Sequence, residues 1–89
     1  MDYSAICLKT HALTIACNTL VCQTDLDDED YTLLLAKNQL RGHISLYFEL
    51  AKAANAKKNE VLANINSILS DEDLAELGCQ DLVVAYQKE

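Results

Sequence analysis

The sequence predicts an all-α domain, a small bundle of three to four helices plus a short C-terminal helix. Three observations carry the prediction. There is no proline and there are only two glycines, Gly42 and Gly78, which removes most of the turn chemistry that hairpins and sandwiches require. Apolar residues recur three and four apart, the spacing that places side chains on one face of a helix. Two helix starts are also written in cap-and-staple form, one beginning at Leu26 and the other at Leu69.

Residues 3–23 contain one unambiguous charge, Lys9. Ile6, Leu13, Cys17 and Leu20 repeat at helical spacing, and Ala5, Leu8, Ala12, Ile15 and Cys22 make a second apolar face. A helix apolar on so many sides is either central in its own domain or pressed against another chain. Thr14, Ile15, Thr19 and Val21 are good β residues, but no turn signal closes a hairpin, so the segment is read as helix. The short connection at 24–26 then implies that the first two helices are antiparallel neighbours.

The second helix is the most strongly patterned part of the chain and is expected to span about 26–54. Leu33, Ala36, Leu40, Ile44, Tyr47, Ala51 and Ala54 form one apolar stripe, widened by Leu34, Leu46, Phe48 and Leu50. Asp27 is placed to accept from a first-turn amide. Asp28, Glu29 and Asp30 sit where the positive end of the helix dipole favours anions. Leu26 and Tyr31 fit a hydrophobic staple. Gly42 costs about 1 kcal/mol against alanine in mid-helix, so either a neighbouring helix approaches closely there or the helix bends, and close packing is preferred.

After residue 54 the sequence turns polar, and Val61, Leu62, Ile65, Ile68 and Leu69 resume a helical stripe almost in phase. Two readings follow: a turn at 55–59, or one unbroken helix over 28–69 that would make a rod. The turn is preferred, because a compact domain must fold its long apolar stripe onto something. Ser70 caps the next helix, with Leu69 against Leu74. Gly78 suits a left-handed C-terminal cap that folds Cys79 back onto Leu74. A last helix restarts at Gln80 or Asp81 and offers Leu82, Val83, Ala85 and Tyr86, with an end expected to fray.

At 89 residues the chain is read as a single all-α domain, 1–89, whose 51% hydrophobic content exceeds what one small core comfortably holds. Surplus apolar surface predicts self-association or a protein partner. Seven basic residues against 14 acidic ones give a formal charge of −7, which disfavours direct binding to nucleic acid or to an anionic membrane. The longest apolar run falls short of the roughly 20 residues a membrane span needs. Asp2, Lys9 and His11 interrupt any signal-peptide pattern, and Cys7, Cys17, Cys22 and Cys79 lack framework spacing. The chain is therefore expected to be cytoplasmic, with reduced cysteines.

No arrangement of residues carries chemistry with any specificity. The run from Asp25 to Asp30 has oxygens at alternate positions, but Asp30 and Ala36 occupy the positions of the glycine and closing glutamate of a calcium loop. Cys7, His11, Asn18 and Cys22 share a helix face, but a zinc site needs ligands from a second direction, and only His43 and Cys79 could supply them. A Cys7–His11 nucleophile would still lack an oxyanion site. No cofactor, metal or catalytic residue is expected, and the chain is read as a non-enzyme.

Charge placement is the remaining signal. Asp25, Asp27, Asp28, Glu29 and Asp30 form one cluster; Asp71, Glu72, Asp73, Glu76 and Asp81 form another. In an up-down bundle with a turn near Asn55 the two merge into one acidic pole, with Lys52, Lys57 and Lys58 at the other end; if the helix is instead unbroken to Leu69, the two clusters separate to opposite ends. The expected function is a small acidic protein-binding module that inhibits, neutralises or chaperones a partner with a basic surface, through Asp25, Asp27, Asp28, Glu29, Asp30, Asp71, Glu72 and Asp73. Small antitoxins, immunity proteins and phage-borne inhibitors share this profile by type rather than by motif. The alternative is a homo-oligomeric structural or assembly adaptor built through Leu8, Ala12, Ile15 and Cys22.

Overall fold

The computed structural model describes residues 3–37 and 40–89. Among these the chain forms six helices and no strand: α1 (Tyr3–Val21), α2 (Asp28–Lys37), α3 (Leu40–Ala53), α4 (Lys58–Ile68), α5 (Asp71–Leu77) and α6 (Gln80–Gln87). The β residues of the first segment are all in helix. An all-α fold is what the glycine-poor, proline-free sequence implies, but the elements are more numerous than expected.

The difference lies in the second helix. Its expected span appears as α2 and α3, on either side of residues 38 and 39, which lie outside the described residues. In α2 the inward positions are Tyr31, Leu34 and Leu35, whereas Leu33 and Ala36 of the expected stripe are exposed. In α3 the stripe holds, with Ile44, Tyr47 and Ala51 buried together with Leu46, Phe48 and Leu50. On one straight helix Tyr31 and Ile44 would lie about 140° apart around the axis, so a single amphipathic stripe does not describe both segments. Spacing alone could not reveal this, because the run of three leucines at 33–35 offers either phase.

α3 is the centre of the domain, and it packs most extensively on α1. Leu13, Cys17, Leu20 and Val21 of α1, Val61 and Ile65 of α4, Leu74 of α5 and Tyr86 of α6 complete one core cluster with it. Each such large side chain contributes about 1.5–3 kcal/mol on leaving water. Phe48 and Tyr86 stack with centroids 4.5 Å apart and 16° between planes. Gly42 is buried in α3.

Polar contacts give the directions of the helices. The Tyr31 hydroxyl donates to the Thr14 carbonyl, which ties the start of α2 to α1, while α2 packs mainly on α3. Thr14 Oγ1 lies 3.3 Å from His43 Nδ1, while Ala16 and Leu20 share a groove with Tyr47, so α3 runs parallel to α1. Asn64 donates to the Tyr47 hydroxyl at 2.7 Å, and Lys9 near the start of α1 pairs with Asp73 at the start of α5. α4 therefore descends antiparallel to α1. Arg41 bonds Asp81, and Lys52 bonds Glu89, which lays α6 parallel to α3.

The turn after α3 is real, and its chemistry is a left-handed cap. Asn55 has φ 55°, the Ala56 amide donates to Ala51 O at 3.0 Å, and the Asn55 amide donates to Lys52 O at 3.1 Å. Together these bonds make a Schellman motif. Gly78 closes α5 in the same way at φ 68°, with the Cys79 amide on Leu74 O at 2.9 Å. An unbroken helix over 28–69 would be about 63 Å long, whereas the longest dimension of the molecule is 36 Å. Its radius of gyration, 12.4 Å, matches the roughly 12 Å expected of a compact chain of this length.

The C-terminus does not fray as expected. Tyr86 is buried, the Lys58 ammonium lies 5.8 Å from its ring centroid, and Lys58 also donates to the Glu89 main-chain oxygen. Lys52 bonds the Glu89 side chain from α3 at 2.7 Å.

Candidate binding surfaces

The two acidic helix starts are both formed as caps. Asp27 Oδ1 accepts from the Asp30 amide at 2.8 Å. Ser70 and Asp73 make a reciprocal capping box, each side chain on the other's amide at 3.2 Å. Leu26 is half-buried beside the core that holds Tyr31, while Leu69 and Leu74 are both buried, as staples require.

They do not merge into one pole. Asp73 pairs with Lys9 near the N-terminal end of α1, whereas Asp27 follows its C-terminal end; Lys9 and Val21 are about 18 Å apart along that helix. The physical reason is the division of the expected long helix into α2 and α3. One more reversal of direction carries the start of α5 to the opposite end of the bundle. The same reversal brings Lys52, Lys57 and Lys58 to the end where α2 begins, rather than away from it.

The clusters also differ in how they are satisfied. Asp73 is held below the usual carboxylate range, chiefly by its hydrogen bond from Lys9 and then by the Ser70 amide. Asp81 is likewise held down by its hydrogen bond from Arg41, a residue that also donates to Gly78 O at 2.5 Å. Asp71 and Glu72 are exposed beside these pairs. Asp25, Asp27, Asp28, Glu29 and Asp30 are all exposed and make no ion pair with any described residue. One turn beyond them Leu33 is 54% exposed. Pattern reading missed this surface, because it assigned Leu33 to the core.

The second surface is the outer face of α1. Leu8 is 71% and Ile15 53% exposed; Cys22 is exposed and Ala12 half-buried. Leu8, Ile15 and Cys22 therefore face outward, away from the inward row of Leu13, Cys17 and Leu20, while Ala12 lies at the edge of this face toward α4. A shallow groove of about 410 Å³ runs alongside, lined by Ala12, Ile15, Ala16 and Thr19 from α1 and by Asn64 and Ile68 from α4.

The polar grouping on α1 does not converge with the residues that could complete a metal site. Cys7, His11, Asn18 and Cys22 point outward, while His43 is turned inward to Thr14 and Cys79 is buried against α5. Among the described residues no three His, Cys, Asp or Glu side chains gather as metal ligands. Thr14 Oγ1 donates to the Thr10 carbonyl at 2.9 Å and lies 3.3 Å from His43 Nδ1. Burial lowers the pKa of His43. Burial also pushes the Cys17 thiol up to about 12, against a partial offset from its hydrogen bond with Tyr31, so Cys17 is an inert core thiol. No helix among the described residues is long and apolar enough to cross a membrane.

These features define a small all-helical domain with an exposed acidic corner that makes no ion pair among the described residues and an exposed helix face without carboxylates. Compared with known proteins, the chain matches no family model, no curated sequence and no solved structure.

Proposed function

We propose that this protein is a small acidic protein-binding module that inhibits, neutralises or chaperones a partner carrying a basic surface, in a cytoplasmic setting. The observation that carries the reading is the corner at the start of α2, where five carboxylates within six residues make no ion pair with any described residue and Leu33 stands exposed beside them. Unpaired like charges at one place steer an oppositely charged partner and set its orientation. An adjacent apolar side chain supplies the contact that survives once water is expelled. The α5 acids lie at the other end of the bundle and are not part of this corner, and Asp73 is already paired with Lys9.

The test is capture of partners from lysate of the protein's own source at low and high salt, comparing the wild type with an Asp25→Asn/Asp28→Asn/Glu29→Gln variant. This variant leaves the Asp27 cap and its bond to Asp30 in place. The expected result is a basic protein bound at low salt, released at high salt, and lost from the variant and from Leu33→Asp. Equal capture of that protein by wild type and variant would refute the reading. A homo-oligomeric adaptor is the second reading, and the α1 face favours it.

A further inference from the structure

We infer that the outer face of α1 is a self-association surface, on which a second copy of this chain docks with its own α1 antiparallel about a two-fold axis through Ile15. The inference is independent of the acidic partner site. Leu8, Ala12, Ile15, Thr19 and Cys22 are spaced 4-3-4-3, the seam spacing of two helices packed side by side. That seam is solvent-facing: Leu8 and Ile15 are the two most exposed large apolar side chains among the described residues of the helix, and Thr19 and Cys22 are exposed with them.

Charge decides the occupant. The chain carries a net −7, so two copies repel wherever carboxylates meet. Every other helix carries at least one Asp or Glu, whereas α1 carries none, and its one cation, Lys9, is spent on Asp73. Contact through α1 is therefore the approach of least self-repulsion. A basic partner finds no carboxylate there to bind.

The pattern is self-complementary when reversed about Ile15. Seven residues to either side, Leu8 meets Cys22 of the second copy, large against small. His11 and Ala12 meet Thr19 and Asn18, so that a small side chain permits close approach and polar ones can pair. Ile15 meets itself beside the groove between α1 and α4, whose apolar lining has room for it. Antiparallel alignment also sets the two helix dipoles favourably.

The two exposed cysteines of α1 report the geometry. Within one copy Cys7 and Cys22 are about 22 Å apart along the helix, too far for a disulfide. In the antiparallel pair Cys7 of one copy and Cys22 of the other differ in height by only about 1.5 Å, while Cys7 and its symmetry mate are about 24 Å apart.

The test combines sedimentation equilibrium of the full chain, from micromolar to millimolar concentration, with a short bismaleimide crosslinker and peptide mapping. A dimer that tightens as salt screens its net charge, crosslinked Cys7 to Cys22, is the expected result. Ile15→Glu alters the axis twice per dimer, so its dissociation constant should rise about a hundredfold, two tenfold losses. Leu8→Glu should also raise it. Helix content by circular dichroism should be unchanged in both, because both side chains already face water. A monomer throughout this range, crosslinks of Cys7 to Cys7 or Cys22 to Cys22, or a dimer indifferent to Ile15→Glu would each overturn the inference.

Discussion

Substitution of Asn55 tests the step that makes this chain a bundle. At φ 55° the residue sits in the left-handed region, where a β-carbon costs roughly 1–2 kcal/mol against glycine and asparagine suffers less than most. Ala56 can reach Ala51 O, and α4 can descend beside α1, only while that conformation holds. Asn55→Ala should therefore destabilise by about 1 kcal/mol, a fall of about 4–8 °C in Tm for a domain of this size. Asn55→Gly should stabilise by about 0.5 kcal/mol, the relief of strain exceeding the added freedom of the unfolded chain.

Gly78→Ala calibrates the scale. Its φ is 68° and no atom lies within 4 Å of an added β-carbon, so the loss of about 1 kcal/mol that we expect comes from the backbone alone. Thermal and urea unfolding, followed by circular dichroism, measure all three. A lower Tm for Asn55→Gly would refute the reasoning. So would an Asn55→Ala chain as stable as wild type when Gly78→Ala is not.

Two further outcomes follow from the core. Burial lowers the pKa of His43 in the folded state, so below its ordinary value near 6.5 the unfolded chain binds the proton more readily. Stability should then rise with pH through that region and fall on mild acidification, and a Tm series between pH 7.5 and 5.5 should lose this component in His43→Gln. Native-state alkylation should modify Cys7 and Cys22 rapidly and leave Cys17 and Cys79 protected until the protein unfolds, because the first pair is exposed and the second buried; rapid labelling of Cys17 would contradict its place in the core.

Local chemistry was legible without the fold. Asp27 and Ser70 as caps, Gly78 as a left-handed terminus, the inward row of α3 and the helical state of every segment depend on neighbours within a turn or two of the chain. Propensity, capping and periodicity act over that range. That Leu8, Ile15 and Cys22 stand on the far side of α1 from Leu13 and Cys17 follows from helix geometry, but which of the two apolar faces meets the core does not.

What only the tertiary structure decided was direction and partnership. Leu33, Leu34 and Leu35 offer a helix two apolar faces, and packing against α1 and α3 selected Leu34 and Leu35 and left Leu33 in water. The residues that end α3 carry no glycine, so the left-handed Asn55 could not be distinguished from a helical asparagine. The count of reversals follows from how α3, α4 and α5 are placed along α1. That count separates the acidic start of α2 from that of α5, and sends Lys9 to Asp73 across 64 positions of chain. Such pairings depend on which helices become neighbours, a property of the whole packed chain that no local window of sequence contains.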